Sequence, residues 1–340
     1  MEYRASLERL LPKQLYDGEM KILINTYRQT RMLFAVVLVL CLLSDVAIGA
    51  GPVQRPRILG IAHVALYVSD LERARVFYRD FLGYAEAYTL KRDDDSERIA
   101  FIKINDDQYI ELFAEAPKND GHLNHIAIQT DAAERMREYL SSQGVKVPQK
   151  VQKGRLGNLN FTITDPDAHT VEIVQYQPDS WTRQQRGKYL PDTQISAHMY
   201  HVGILVGPLE PAMRFYHDVL GFNEFWRGSS SGKVLSWVNM RVPDGQDYIE
   251  FMLYKDRPDT RQLGVRNHIC LVVPDIQKAV ALLKQRTERT GYTQPIEIKV
   301  GVNGKRQANL FDPDGTRIEL MEPDTASGKP VASSSAPPPQ

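Results

Sequence analysis

The sequence predicts an α+β fold: four βαβββ modules in two paired domains, each a cupped open barrel. Three observations predict it. The stretch "IAHVALYVSDLERARVFYRDFLGY" at Ile61–Tyr84 returns as "YHVGILVGPLEPAMRFYHDVLGF" at Tyr200–Phe222. Within each half, a strand, a helix and three strands run in the same order twice. A His in the first strand and a Glu in the last recur in all four runs.

The modules can be justified in chain order. In "IAHVALYV" β-branched and apolar residues alternate, which reads as a strand. Ser69-Asp70 is a helix N-cap signal, because a short side-chain oxygen can accept from free amides of the first turn. Leu71, Ala74, Val76, Phe77 and Phe81 form the apolar helical face, and Gly83 is the expected C′ glycine. "YAEAYTL", "RIAFIKI" and "QYIELFA" are the three following strands. The second module reads "HLNHIAIQT", a capped helix "DAAERMREYLSSQG", then "VKVPQKVQ", "NLNFTITD" and "HTVEIVQY". The second half repeats this with "MYHVGILV", "EPAMRFYHDVLG", "NEFWRG", "VLSWVNMRV" and "DYIEFMLY". It ends with "RNHICLVVPD", "IQKAVALLKQRTERTG", "IEIKVGV", "RQANLFD" and "TRIELME". The domains therefore span 58–176 (modules 58–116 and 121–176) and 198–323 (modules 198–256 and 264–323). A polar linker, 177–197, joins them. Residues 324–340 are small and Pro-rich, and are expected to be disordered.

Residues 1–50 read as an N-terminal extension with a secretory signal. Lys21, Arg28 and Arg31 precede an apolar run, Leu33 to Leu43, and small residues near Ala47 and Ala50 follow as a cleavage edge. The start could equally be Met20 or Met32. The run is shorter than the roughly 20 residues a membrane span needs. The expected location is periplasmic or secreted, with an uncleaved membrane anchor as the alternative. Once the signal is removed no stable membrane partner is expected, and the oligomeric state stays open. Formal net charge is zero, which gives no basic footprint for nucleic acid. The partner is expected to be a small-molecule substrate. Of the two cysteines, Cys41 falls in the signal, and Cys270 reads as a buried inert thiol.

The chemistry lies in the repeated pairs. His63 and Glu111, His125 and Glu172, His201 and Glu250, and His268 and Glu319 hold matching places in the four modules. A Glu between apolar strand neighbours is costly if buried unpaired, and sensible if a cation meets it. Two imidazoles and two carboxylates suit a divalent transition metal: Zn, Ni, Mn, Co and Fe(II) are all compatible. The other histidines, His122, His169, His198 and His217, read as structural or surface residues. Trp226, Trp237, Asn239 and Asn160 are candidates to line a pocket, or else to pack.

"HVALYVSDLERARVFYRDFLGY", "YIELF", "NHIAI" and "DPDGTRIELME" resemble the vicinal oxygen chelate superfamily. This family contains glyoxalases, extradiol dioxygenases, epimerases and bleomycin-resistance proteins. The resemblance covers about Ile58 to Pro323 and implies glyoxalase-like domains cupped around a divalent metal. It implies the same eight ligands: His63, Glu111, His125, Glu172, His201, Glu250, His268 and Glu319. It also implies chelation of adjacent substrate oxygens by the cation, with Glu172 and Glu319 as candidate bases. The four-ligand set resembles the glyoxalase and isomerase branch, so a lyase or isomerase step is the leading expectation. The four-module length resembles extradiol dioxygenases, for which His201, His268 and Glu319 would hold Fe(II). Yet "GKRQANLFDPDG" lacks the His and Tyr of the dioxygenase pattern. Metal-free binding of a small molecule is the third alternative.

Overall fold

In this computed structural model the described residues are 53–117 and 121–340. The signal segment and Cys41 lie outside them. Among the described residues no helix is long and apolar enough to cross a membrane.

Two eight-stranded sheets form, one per half. In the first, β1 (Ile58–Tyr67), β2 (Ala85–Lys91), β3 (Glu97–Lys103) and β4 (Tyr109–Phe113) come from the first module. β5 (Leu123–Thr130), β6 (Gln152–Lys153), β7 (Leu159–Thr164) and β8 (Thr170–Gln175) come from the second. Their order is β2-β3-β4-β1-β5-β8-β7-β6. The second sheet is built from β9 (Met199–Val206), β10 (Asn223–Gly228), β11 (Trp237–Arg241), β12 (Tyr248–Leu253), β13 (His268–Val272), β14 (Ile298–Val300), β15 (Lys305–Phe311) and β16 (Arg317–Thr325). It repeats the order as β10-β11-β12-β9-β13-β16-β15-β14. Each sheet thus places the first and last strands of both modules at its centre. The expected "VKVPQKVQ" and "IEIKVGV" shrink to the short edge strands β6 and β14.

Helix α1 (Leu71–Arg75) is capped by Asp70, whose side chain accepts from the Arg73 amide. It continues as a π-helical stretch, Val76–Phe81. The wider turn changes the expected apolar face: Val76 is exposed, and Tyr78 is fully buried. Helix α2 (Ala133–Ser142) has no side-chain N-cap; Gln175 Oε1 accepts from the Ala133 amide instead. Helix α3 (Trp181–Gln184) lies in the linker. Helix α4 (Leu209–Met213) also runs on as a π stretch, Arg214–Val219. Helices α5 (Thr260–Arg266) and α6 (Ile276–Thr290) complete the second half.

One apolar core serves both halves. Val64, Leu66, Ile126 and Ile128 of the first sheet share it with Val202, Ile204, Ile269 and Leu271 of the second. Hydrogen bonds cross the halves in matched pairs: Tyr78 Oη donates to Asp312 Oδ2, and Tyr216 Oη to Asp165 Oδ2. Both tyrosines come from the π stretches, and both aspartates from the repeated Asp-Pro-Asp turns. Because strand side chains alternate, the residues next to these core positions face away from it. His63, His125, His201 and His268, each one residue before a core position, are among them.

One sequence expectation gains detail and one is corrected. The 177–197 linker is anchored to the first half. Lys103, fully buried, donates its ammonium to the Gln185 and Lys188 carbonyls at 2.7 and 2.8 Å and to Asp106 at 2.8 Å. Trp181 packs on Tyr88 with ring centroids 5.2 Å apart. The 324–340 tail, expected to be disordered, begins inside β16 and then returns along β10. The Ser334 amide donates to the Arg227 carbonyl, and the Leu235 amide to the Pro337 carbonyl. Composition counted side chains, whereas backbone hydrogen bonds to a strand edge hold this segment.

Lys103→Met keeps the apolar stem and removes the charge. It leaves two carbonyls and a carboxylate without their donor, so stability is expected to fall by about 2–4 kcal/mol in urea unfolding. A loss below about 0.5 kcal/mol would show that the linker is not held through this residue.

Candidate metal centres

The strand register brings the eight predicted residues into two clusters of four. Across β4-β1-β5, Glu111 and His125 flank Ala65; across β1-β5-β8, His63 and Glu172 flank Ala127. The second sheet repeats this with Glu250 and His268 around Gly203, and His201 and Glu319 around Cys270. Each cluster is a diamond of donors over two small residues, which leave the space into which the larger side chains converge.

In the first cluster His63 Nε2 and His125 Nε2 are 2.9 Å apart. His63 Nε2 lies 3.6 Å from Glu111 and 3.5 Å from Glu172, and His125 Nε2 lies 3.1 Å from Glu172. In the second, His201 Nε2 and His268 Nε2 are 3.0 Å apart. His201 stands 3.9 and 3.8 Å from Glu250 and Glu319, and His268 stands 3.4 Å from each. All four histidines are buried.

The donor set fits a divalent transition metal. Ligand bonds of about 2.1 Å place adjacent donors about 3.0 Å apart in an octahedron and about 3.4 Å apart in a tetrahedron. Most of the distances above fall close to these edges, the separations of His201 from Glu250 and Glu319 being longer. The second histidine of each cluster is also oriented for it. His268 Nδ1 faces the Arg266 carbonyl at 2.8 Å, and His125 Nδ1 faces Asn124 Oδ1 at 2.9 Å. Those oxygens only accept, so Nδ1 carries a proton, and Nε2, which faces the carboxylates, would turn its lone pair to a cation once one is bound.

The electrostatics separate the two carboxylates of each pair. Burial alone would raise Glu172, but hydrogen bonds from His125 and His63 outweigh it and hold the carboxyl far below the usual range. Glu111 is pushed up by burial, which the histidine charges only partly offset. His63 is raised: burial opposes its proton, and the charges of Glu111 and Glu172 prevail. In the second cluster burial, and then the neighbouring Glu319 charge, push Glu250 up to about 8. Glu319 is lowered to about 2, since the His268 hydrogen bond and the Arg317 charge overcome its burial. Burial lowers both His201 and His268.

The remaining sequence candidates divide. His122 bonds the Tyr67 carbonyl, His169 pairs with Asp165, His198 with Asp247 and His217 with Asp218, all outside the clusters. Cys270 is buried, but it does not sit in an anonymous apolar run. Its Sγ belongs to a group with His201 and Glu319 whose ligand atoms lie within 4.8 Å of one another. Asn160 lines a cavity of about 240 Å³ at the first cluster, with Leu90, Phe101, Phe113 and Leu156. Trp226 and Trp237 line one of about 260 Å³ at the second, with Arg317. Asn239 lines an adjoining space. The small residues under the donors went unnoticed in the sequence, although a signal was there. Each ligand His is followed two residues later by Ala, Ala, Gly or Cys, in "HVA", "HIA", "HVG" and "HIC".

Comparison with known proteins agrees with this architecture. The family model described as "Glyoxalase/Bleomycin resistance protein/Dioxygenase superfamily" matches residues 60–173 and 198–320. A glyoxalase I of Saccharomyces cerevisiae is 24% identical over 219 residues, covering 58% of this chain and 63% of that protein. The chain thus spans under two thirds of that relative's length. A mitochondrial methylmalonyl-CoA epimerase of Mus musculus is 32% identical over 133 residues, covering 36% and 71%. Among solved structures, the 2,3-dioxygenase LapB of Pseudomonas sp. KL28 superposes with a TM-score of 0.59 at 15% identity, covering 82% and 98%. The Mn(II)-bound glyoxalase of Novosphingobium aromaticivorans superposes at 0.58 with 18% identity, covering 82% and 85%. At such identities the superpositions speak for the fold.

Two predictions follow from the geometry. A Cβ at Gly203 would lie 2.0 Å from the His268 ring, so Gly203→Ala must displace that ligand. Metal content is expected to fall from two equivalents to one, while Ala65→Gly at the matching place keeps both. Retention of both equivalents in Gly203→Ala would contradict the diamond. The second concerns pH. Glu250 holds a proton at neutral pH in the metal-free protein, and a cation must displace it. Cobalt(II) affinity of the second cluster, titrated in His63→Ala, should rise about tenfold per pH unit up to about 8 and then level. A flat profile from pH 6 to 8 would contradict this.

Proposed function

The chain belongs to the Glyoxalase/Bleomycin resistance protein/Dioxygenase superfamily, and on that premise we propose an exported, metal-dependent enzyme that carries out a lyase or isomerase step on a small molecule with adjacent oxygens. The observation that carries the reading is the second buried carboxylate in each cluster. Two imidazoles and one carboxylate already suffice to hold a divalent ion with open positions. Glu111 beside His63, and Glu250 beside His268, add a further carboxylate at the same spot.

A bound divalent cation would supply Lewis-acid polarisation of the substrate oxygens. The chain supplies the rest. His63 with His125, and His201 with His268, would hold the cation. Glu172 and Glu319 take the proton from the carbon next to a substrate carbonyl and return it to a neighbouring atom. Glu111 and Glu250, the more basic partners in the resting protein, are the second carboxylate for a step that collects and delivers the proton on different sides. The buried floor keeps bulk water from intercepting it. Export rests on the charged, apolar and small-residue order of residues 21–50.

A second reading has its own observation. His201, His268 and Glu319 alone form a set of two histidines and one carboxylate with open positions, as Fe(II) ring-opening dioxygenation requires. The additional buried Glu250 weighs against it.

The test uses Mn(II)- or Zn(II)-loaded protein and dihydroxyacetone in D₂O, followed by proton NMR. Deuterium is expected at the exchangeable carbons, and Glu172→Gln with Glu319→Gln should slow its entry about 10²–10⁴-fold. Oxygen uptake with catechol on Fe(II)-loaded protein, without exchange, would move the chain to ring cleavage. Neither activity would leave a small-molecule binding protein.

A further inference from the structure

The two clusters share their donors and differ in what surrounds them. The ladder register gives the comparison residue by residue. The cross-strand neighbour of Glu111 is Phe101, and that of Glu250 is Asn239. The neighbour of Glu172 is Thr162, and that of Glu319 is Asn309. Beside Phe101 stands Tyr88, and beside Asn239 stands Trp226. Two residues before the last ligand, the first half has Thr170 and the second has Arg317. The first surround is more aromatic and uncharged at its floor, and its unpartnered polar atoms are the neutral Tyr109 Oη and Asn158 Oδ1, which line its cavity. Its arginines are at the cavity wall: Arg98 is paired with Glu115 at 2.8 Å, and Arg155 is exposed.

In the second surround, polar atoms stand without partners. Asn239 Oδ1, Asn309 Oδ1, Arg317 Nε and Trp226 Nε1 are all buried, and none has a hydrogen-bond partner among the described residues. Asn239 is only 3% exposed. Leaving such atoms unmatched is costly, so a ligand that satisfies them gains by it. Among the described residues Arg317 has no carboxylate within salt-bridge distance, though its charge reaches all four donors of the cluster. Once a divalent cation is balanced by Glu250 and Glu319, the Arg317 charge is left over. Lys299 adds another at the cavity wall. The first cluster has no such excess at its floor.

The four atoms also specify what would match them. Two amide oxygens call for ligand hydroxyls. One guanidinium N–H and one indole N–H call for negatively charged or carbonyl oxygens. From this surround we infer that the second-half site takes a small α-hydroxycarboxylate, with Arg317, Asn239, Asn309 and Trp226 as its specificity determinants, while the first-half site takes an uncharged, more apolar ligand. The duplicated sites therefore serve different substrate classes. Arg317 and Trp226 line the cavity of about 260 Å³, Asn239 lines the space adjoining it, and Asn309 is the cross-strand neighbour of Glu319; the cavity suits a molecule of a few carbons.

The inference rests on the metal-centre reading only in that hydroxyl and carboxylate oxygens would also reach the cation; the four contacts belong to the chain. The test is calorimetric titration of the full chain with glycerate, in parallel on metal-loaded and metal-free protein, with metal content measured separately. Glycerate is expected to bind at one site. Arg317→Gln should weaken it at least tenfold without changing metal content, Arg317→Lys should recover part of the loss, and Arg98→Gln should change nothing. If Arg317→Gln fails to fold, Asn309→Ala is expected to weaken glycerate several-fold in its place. Failure to take up metal would defeat the metal-centre reading alone, and the metal-free titration would still decide this inference. No glycerate binding in either form, or binding unaffected by both Arg317→Gln and Asn309→Ala, would overturn it.

Discussion

Two imidazole Nε2 atoms face each other at 2.9 Å in one half and 3.0 Å in the other, each pair boxed in by two glutamates. In a buried strand setting this is a concentrated demand for positive charge. Protons meet it in part: His63 is raised in the first cluster, and Glu250 in the second. A divalent cation meets it fully, because it answers both imidazoles and both carboxylates at once. Much of the rest of the fold can be understood as what makes that arrangement tenable. The ligands sit on the four central strands of each sheet, where neighbouring ladders fix the backbone on both sides. Small residues occupy the middle of each diamond, and Nδ1 contacts set the ring of the second histidine.

The same strand alternation that turns the donors out of the core turns their neighbours into it. Val64 and Leu66 bracket Ala65, and Val202 and Ile204 bracket Gly203. All four apolar residues belong to one core shared by the halves. The reciprocal bonds from Tyr78 to Asp312 and from Tyr216 to Asp165 tie each half's π stretch to the other's Asp-Pro-Asp turn. Each cluster is therefore backed by the opposite half, and the two halves share one core. A pair of sites on such a core can diverge in lining while the ligand set stays fixed, as Phe101 against Asn239 and Thr170 against Arg317 illustrate.

Much of this was legible in the sequence because it is periodic. The repeat gave the modules, and the His and Glu positions recurred at intervals too regular for chance packing. Other features were illegible for identifiable reasons. The π stretches exchange Val76 for Tyr78 on the buried face, which a 3.6-residue period cannot anticipate. The ordering of 177–197 depends on Lys103, a charged residue whose burial only a tertiary partner can explain. The tail residues 326–340 are held by backbone bonds to which composition is blind. Cys270 is the buried thiol the sequence suggested, and burial pushes its pKa up; only the register shows that its neighbours are His201 and Glu319.

The central claim is that two equivalent donor sets exist to hold cations. Native mass spectrometry of the full chain, after exposure to Co(II) and removal of free ion, measures that most directly. The account predicts a dominant species carrying two cobalt ions, with X-ray absorption showing nitrogen and oxygen neighbours at about 2.0–2.2 Å. A chain that emerges without cobalt, or with ions removed by a simple salt wash, would contradict it.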